Sequence, residues 1–228
     1  MVSRSEELRQ HAIPRTLKLT ESPFDPMVRA VFPRMAVHVP RVVTPNVVTV
    51  AGVVATILAG TAVACAGLAR HLLLVAAGLV FVNWVADTLD GVLARERRQT
   101  SRLGDFLDHV FDAVSVAALT VGPAFSGLVS PTLSLLLGVM ILLCFAVTYK
   151  GEQATGVYEL LKFGPTEVRF VVAGTFVAAF FFPGDLVTVA GHGLQVIDLA
   201  SLTGITWSAL YLAVLFWRYA RRLQQLDR

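Results

Sequence analysis

From residue 45 onward the chain alternates long apolar runs with short connections, two of which carry basic residues in number. Six runs are long enough to cross a hydrocarbon core of roughly 30 Å: Pro45–Ala69, Leu72–Leu93, Asp105–Phe125, Pro131–Tyr149, Val168–Val189 and Gln195–Tyr219. This pattern predicts an all-α integral membrane protein with six transmembrane helices. Ahead of the first run, Phe24, Val28, Val31 and Met35 recur at helical spacing, with Arg29, Arg34 and His38 elsewhere on the circumference. That predicts an N-terminal amphipathic helix lying in the membrane interface. Pro26 fits its first turn, whereas Pro33 should kink or interrupt it. Thr44 and Pro45 read as N-cap and first residue of the first span. The expected organisation is a cytoplasmic segment over residues 1–41 and one six-span domain over 42–228.

Composition agrees with the patterning. Hydrophobic residues make up 55% of the chain and mean hydropathy is +0.68, too apolar for an ordinary soluble domain. A net charge of +3 suits anionic lipid headgroups and gives no basic patch for nucleic acid. Cys65 and Cys144 lie inside apolar runs, without disulfide or metal-ligand spacing. No apolar core precedes a small-residue cleavage site in the first forty residues, so no cleavable signal is expected.

Charge also sets an orientation. Of 19 basic residues, 7 precede the first span, and Arg95, Arg97, Arg98 and Arg102 join the second to the third. Lys150, Lys162 and Arg169 surround the fourth connection, and Arg218, Arg221, Arg222 and Arg228 end the chain. The remaining connections carry only Arg70. The positive-inside rule therefore places both termini in the cytoplasm.

Candidate chemistry concentrates at the cytoplasmic ends of spans two and three. Asp87 and Asp90 are spaced i, i+3, and Asp108 and Asp112 are spaced i, i+4, so each pair shares a helix face. A carboxylate inside a bilayer costs roughly 2.5–3.5 kcal/mol on insertion scales, so four converging ones call for compensation. Hard oxygen ligands from facing helices suit Mg2+ or Mn2+, and this number of carboxylates suits two ions. Solvated aspartates at helix ends would explain any one of them. They would not explain Gly91, Ala94, Arg95 and Gly104 at fixed offsets around the two pairs.

The pattern D-x-x-D-G-x-x-A-R, eight residues, G-x-x-x-D-x-x-x-D fixes eight positions over 26 residues. It resembles, without departure, the signature of the CDP-alcohol phosphotransferase family. These membrane enzymes transfer a phospho-alcohol from a cytidine diphosphate donor to a second alcohol and release CMP. The resemblance implies that Asp87, Asp90 and Asp108 are metal ligands. It makes Asp112 both metal-associated and the candidate base for the acceptor hydroxyl. His109 is a rival by residue type, but its i+1 position turns it off the Asp108–Asp112 face. Gly91, Ala94 and Gly104 are implied to form close-packed surfaces for cytidine and ribose, Arg95 to contact phosphate or nucleotide, and Asn46 and Thr49 to border the donor pocket. Arg97, Arg98 and Arg102 are expected to anchor at the interface. Relatives are typically homodimers through membrane helices.

Outside the signature, Val39–Gly52, Ser101–His109 and Ala154–Val168 resemble the choline and ethanolamine phosphotransferases. Where those enzymes commonly carry a histidine and aromatics, this chain has Tyr149-Lys150-Gly151-Glu152-Gln153. Lys150, Glu152 and Glu167 thereby become candidates for the acceptor side. The resulting expectation is transfer of phosphoethanolamine or phosphocholine to diacylglycerol in phospholipid biosynthesis. The alternative uses CDP-diacylglycerol as donor and glycerol phosphate, inositol phosphate or serine as acceptor. A cation-coupled transporter is the reading from another class, and it leaves the signature glycines and Arg95 unexplained.

Overall fold

The computed structural model describes residues 23–157, 164–189 and 191–226. The basic stretch with Arg4, Arg9, Arg15 and Lys18 lies outside those residues. So do Lys162 and residues 158–163 of the segment likened to the choline and ethanolamine enzymes. Among the described residues the chain forms α1 (Asp25–His38), α2 (Pro45–Ala64), α3 (Leu72–Glu96), α4 (Arg102–Ala124), α5 (Pro131–Thr155) and α6 (Pro165–Phe181). A hairpin of β1 (Val187–Val189) and β2 (His192–Leu194) then leads into α7 (Val196–Leu226).

Most helix boundaries follow local chemistry. Pro45, Pro131 and Pro165 occupy first turns, where the missing N–H has no intrahelical partner to lose. Thr44 takes the extended N-cap conformation of α2, although its hydroxyl makes no capping bond. At α4 the Ser101 Oγ accepts from the Gly104 amide at 3.0 Å. Gly156 ends α5 in the left-handed region at φ 68°, which a glycine adopts without steric cost.

Among the described residues five helices, α2 to α5 and α7, are long and apolar enough to cross a membrane. The expected fifth span is revised. Helix α6 stops at Phe181, and residues to Val189, read as its continuation, instead enter the antiparallel hairpin pairing Val187 with Leu194. The Pro183-Gly184 step stops the helix, with Gly184 at φ 86°. At 17 residues α6 rises only about 25 Å. Even so, Arg70, in the turn between α2 and α3, donates to the carbonyls of Ala179 and Phe180 at its far end.

In lipid, apolar side chains give little drive for helices to associate, so close packing through small residues matters more. Gly60 and Gly122 bring the α2 and α4 backbones into contact, and Gly151 of α5 lies against the Tyr219 ring of α7. The outer surfaces stay apolar, with Val50, Val54 and Leu58 of α2, Leu136 and Val139 of α5, and Leu210 and Phe216 of α7 exposed.

Helix α1 differs from the stripe expected of it. It runs unbroken through Pro33, and its buried face carries Phe32 and Ala36. Phe32 meets Trp84 of α3 edge-on at 5.6 Å, and Phe24 stacks on Phe170 of α6 at 4.7 Å. Val31 and Met35 point away and are exposed. Phe24 and Val28 of the expected stripe do pack on the bundle, but further along the helix the docked face runs through Phe32 and Ala36, because Trp84 of α3 sits there.

Candidate active site

The last four turns of α3 carry Asn83, Asp87 and Asp90 at i, i+4 and i+7, one continuous stripe. Asn83 Nδ2 donates to the Gly52 carbonyl at 3.0 Å and fixes this stripe against α2. Arg98, at φ 55°, reverses the chain between α3 and α4. Arg97 donates to Val43 O at 2.6 Å and Val39 O at 2.7 Å, tying the α1–α2 connection to the end of α3. It was expected as an interface anchor; its guanidinium is instead spent on carbonyls that only this fold brings within reach.

These constraints bring all four aspartates to one cavity, lined also by Thr49 of α2 and Arg169 of α6. Asp108 is exposed at the mouth, Asp112 lies one turn further along α4, and Asp90 is buried at 8% exposure. Arg169 spans the two pairs. Its Nη1 donates to Asp87 Oδ2 at 2.5 Å, and its Nη2 donates to Asp112 Oδ1 at 3.1 Å. Asp90 Oδ2 is buried and has no hydrogen-bond partner. Leaving a buried charged oxygen unsatisfied costs more than the ~1–3 kcal/mol of a neutral group, so this atom marks a place for a cation.

The donor chemistry fits a divalent ion. All candidate ligands are carboxylate oxygens, which suit Mg2+ or Mn2+. Among the described residues, no three histidine, cysteine, aspartate or glutamate side chains are already gathered as a metal-binding group. The Arg169 guanidinium is what fills the space between Asp87 and Asp112.

The remaining sequence candidates fall into two groups. Asn46 and Gly104 adjoin, since a Cβ on Gly104 would lie 3.9 Å from Asn46 Oδ1. Arg95 folds back over Gly91, where a Cβ would lie 3.5 Å from its Nη1, and Ala94 is half-buried beside them. Of the donor-side candidates only Thr49 lines the carboxylate cavity; Asn46, Gly91, Ala94, Arg95 and Gly104 do not. The acceptor-side candidates do not line the cavity. Lys150 is exposed near the end of α5, and Glu152 is half-buried one turn from that end. Glu167 is buried and accepts from the Gly164 amide at 2.8 Å, capping α6. His109 Nδ1 lies 2.8 Å from the Asp105 carbonyl and its ring packs edge-on to Tyr149 at 4.1 Å, also outside the cavity lining.

Arg169 and Asn83 entered the sequence reading only as a topological charge and an unremarked polar residue. Both carried a signal. An ionisable or amide side chain within an apolar run defaults to a functional or packing role.

The profile of the CDP-alcohol phosphatidyltransferase family matches residues 42–217. An archaetidylinositol phosphate synthase from Methanothermobacter thermautotrophicus is 29% identical over 144 residues, covering 60% of this chain and 74% of the relative. Among solved structures, the Mycobacterium tuberculosis phosphatidylinositol phosphate synthase with CDP-DAG bound superposes with a TM-score of 0.66. That comparison has 20% identity and covers 83% of this chain and 94% of the other. The same synthase in complex with manganese and citrate gives a TM-score of 0.58 at 20% identity, over 87% of this chain and 88% of the other.

Proposed function

The chain belongs to the CDP-alcohol phosphatidyltransferase family, and from that premise we propose that it moves a phosphatidyl-type group from a CDP-linked lipid to a phosphorylated alcohol, releasing CMP. It is thus an enzyme of phospholipid synthesis, and what the proposal adds is the choice of substrates. The observation that carries this choice is Arg169, a permanent cation lining the carboxylate cavity. Its guanidinium is held by Asp87 and Asp112; once divalent ions take those carboxylates it is released, and a phosphorylated polyol then offers it an anion where a neutral diacylglycerol hydroxyl offers none. Lys150, Glu152 and Glu167, to which the choline and ethanolamine reading turned, do not line that cavity. The archaeal relative, an archaetidylinositol phosphate synthase, favours the same alternative.

In this reading the acceptor hydroxyl oxygen bonds to the phosphorus that bears the lipid, and the bond from that phosphorus to CMP breaks. Asp112 takes the hydroxyl proton; CMP leaves with the electron pair of the broken bond. Asp87, Asp90, Asp108 and Asp112 would hold two divalent ions, which neutralise the diphosphate and polarise the leaving group. Thr49, Asn46 and Gly104 border the donor, and Gly91, Ala94 and Arg95 form the surface for its nucleotide. Asp108 at the mouth meets soluble molecules first, and Asp112 lies deeper.

The proposal includes six spans with the cavity opening to the cytoplasm. Helix α6 begins at the level of the aspartates, where Arg169 meets them, and ends where Arg70 holds its last carbonyls. It therefore traverses the same layer as α2 and α3, although it is shorter. The arginines of the α3–α4 connection supply the cytoplasmic charge bias.

The test is CMP release by the purified protein in lipid with Mg2+ and a panel of donors and acceptors. CDP-diacylglycerol with inositol phosphate or glycerol phosphate should yield CMP. Release only from CDP-ethanolamine or CDP-choline with diacylglycerol would overturn the choice.

A further inference from the structure

We propose that Arg169 is an internal counter-cation that competes with the divalent metal for Asp87 and Asp112, and so weakens and tunes metal binding. This rests on the metal reading of the site. The geometry supplies the competition. The guanidinium donates one N–H to Asp87 on α3 and another to Asp112 on α4, so a single side chain engages both pairs. A Mg2+-sized ion sits about 2.0–2.1 Å from its oxygen ligands. Two cations cannot both approach Asp87 Oδ2 and Asp112 Oδ1 from within the cavity without strong repulsion, which the low dielectric of a buried site amplifies. Arg169 must give way for those oxygens to ligate.

The arrangement also explains why displacement is feasible. One guanidinium offsets one charge among four carboxylates, and it leaves Asp90 Oδ2 without a partner. The cluster therefore still attracts a cation of higher charge. The start of α6 is fixed independently by the Glu167 carboxylate on the Gly164 amide. Arg169, two residues further on, can swing its side chain while its backbone stays in place. Because a guanidinium stays charged at any physiological pH, the competition acts at all times.

The experiment titrates Mn2+ into the purified full chain by calorimetry and follows thermal unfolding with and without Mn2+. Arg169→Gln should bind Mn2+ roughly tenfold more tightly, within the span usual for coupled sites. It should also melt lower than the parent without metal and gain more on its addition. Asp108→Asn, which removes a carboxylate that Arg169 does not pair with, controls for the site itself. If Asp108→Asn binds Mn2+ as well as the parent, the metal reading fails and this inference with it. If Asp108→Asn weakens binding while Arg169→Gln leaves it unchanged or weaker, the inference alone fails. Should Arg169→Gln not fold, Arg169→Met serves, since it keeps an unbranched stem and removes the charge; it should also tighten Mn2+ binding, and unchanged affinity would count against competition. On the unaltered chain, phenylglyoxal modification of Arg169, mapped by mass spectrometry, should speed up when Mn2+ is added. An unchanged or slower rate would overturn the proposal.

Discussion

Gly60 of α2 and Gly122 of α4 meet backbone to backbone: a Cβ on Gly122 would overlap the Gly60 carbonyl, and one on Gly60 would overlap that of Ala118. This crossing sets how closely α4, with Asp108 and Asp112, approaches α2, with Thr49. Gly122→Ala must push the helices apart, at a cost of about 1–3 kcal/mol for forced overpacking. Gly78→Ala and Gly174→Ala are the contrast, since a Cβ there meets nothing within 4 Å. Those two should be neutral or stabilising by up to ~1 kcal/mol, as expected for glycine replaced inside a helix. Thermal unfolding in one detergent compares all three, and equal melting temperatures would refute the tight crossing.

Arg97 makes a second separable prediction. Its charge-assisted bonds to Val39 and Val43 hold the chain just before α2 against the end of α3. Each such bond is worth about 1.5–3 kcal/mol. Arg97→Ala should therefore destabilise by about 3 kcal/mol and raise KM for the CDP-linked donor, because Asn46 and Thr49 lose their register with Asp90. Arg97→Lys should recover part of the stability, with one carbonyl bonded instead of two. A melting temperature unchanged in Arg97→Ala would show that the connection is held by other means.

The carboxylate pairs were legible because their geometry is local. Spacings of i, i+3 and i, i+4 fix a shared face before any tertiary contact forms. The span boundaries at Pro45, Leu72 and Pro131 were legible for the same reason. Arg169 was not, because its partners Asp87 and Asp112 lie on other helices and only the packing of α6 brings them together. The buried face of α1 was legible at Phe24, which meets Phe170, but not at Phe32 and Ala36, since hydrophobic spacing alone does not say where Trp84 will lie. Glu167 looked chemical because it is acidic; its place three residues after Gly164 makes it a cap.

Orientation is open to direct labelling. In a chain with Cys65 and Cys144 replaced by alanine, single cysteines at Arg98, Phe125 and His192 are all exposed positions. A membrane-impermeant thiol reagent added outside intact cells should label the cysteines at 125 and 192 and spare the one at 98. Labelling at 98 from outside would reverse the topology and close the proposed cytoplasmic entry of soluble substrate. Labelling at 125 without 192 would show that α6 does not span.

Metal removal should silence the enzyme. Four carboxylates with only one guanidinium among them leave a net negative cavity that repels a diphosphate. EDTA should abolish CMP release, and Mn2+ or Mg2+ should restore it while raising the melting temperature through binding to the folded state. Full turnover in a preparation verified metal-free by elemental analysis would remove the two-ion assignment.

The roles of Asp112 and Asp90 should separate under mutation. Asp90 is the more buried, and its Oδ2 has no protein partner, so ligation is the role its surroundings leave open. Asp112 already shares Arg169 with Asp87 and lines the same cavity one turn further along α4, so a soluble acceptor passes Asp108 before its hydroxyl reaches Asp112. Asp112→Asn should keep much of the donor affinity while single-turnover rates fall by roughly 10²–10⁴, the usual cost of losing a general base. Asp90→Asn should weaken Mn2+ and donor binding together. Titrating donor binding and single-turnover rate across Mg2+ concentrations distinguishes them. Rescue of Asp112→Asn by excess Mg2+, with no rescue of Asp90→Asn, would exchange the two assignments. Equal loss of donor binding in both would make Asp112 a ligand like the others, leaving His109 and Glu152 as the next bases to test, each of which would have to move to reach the cavity.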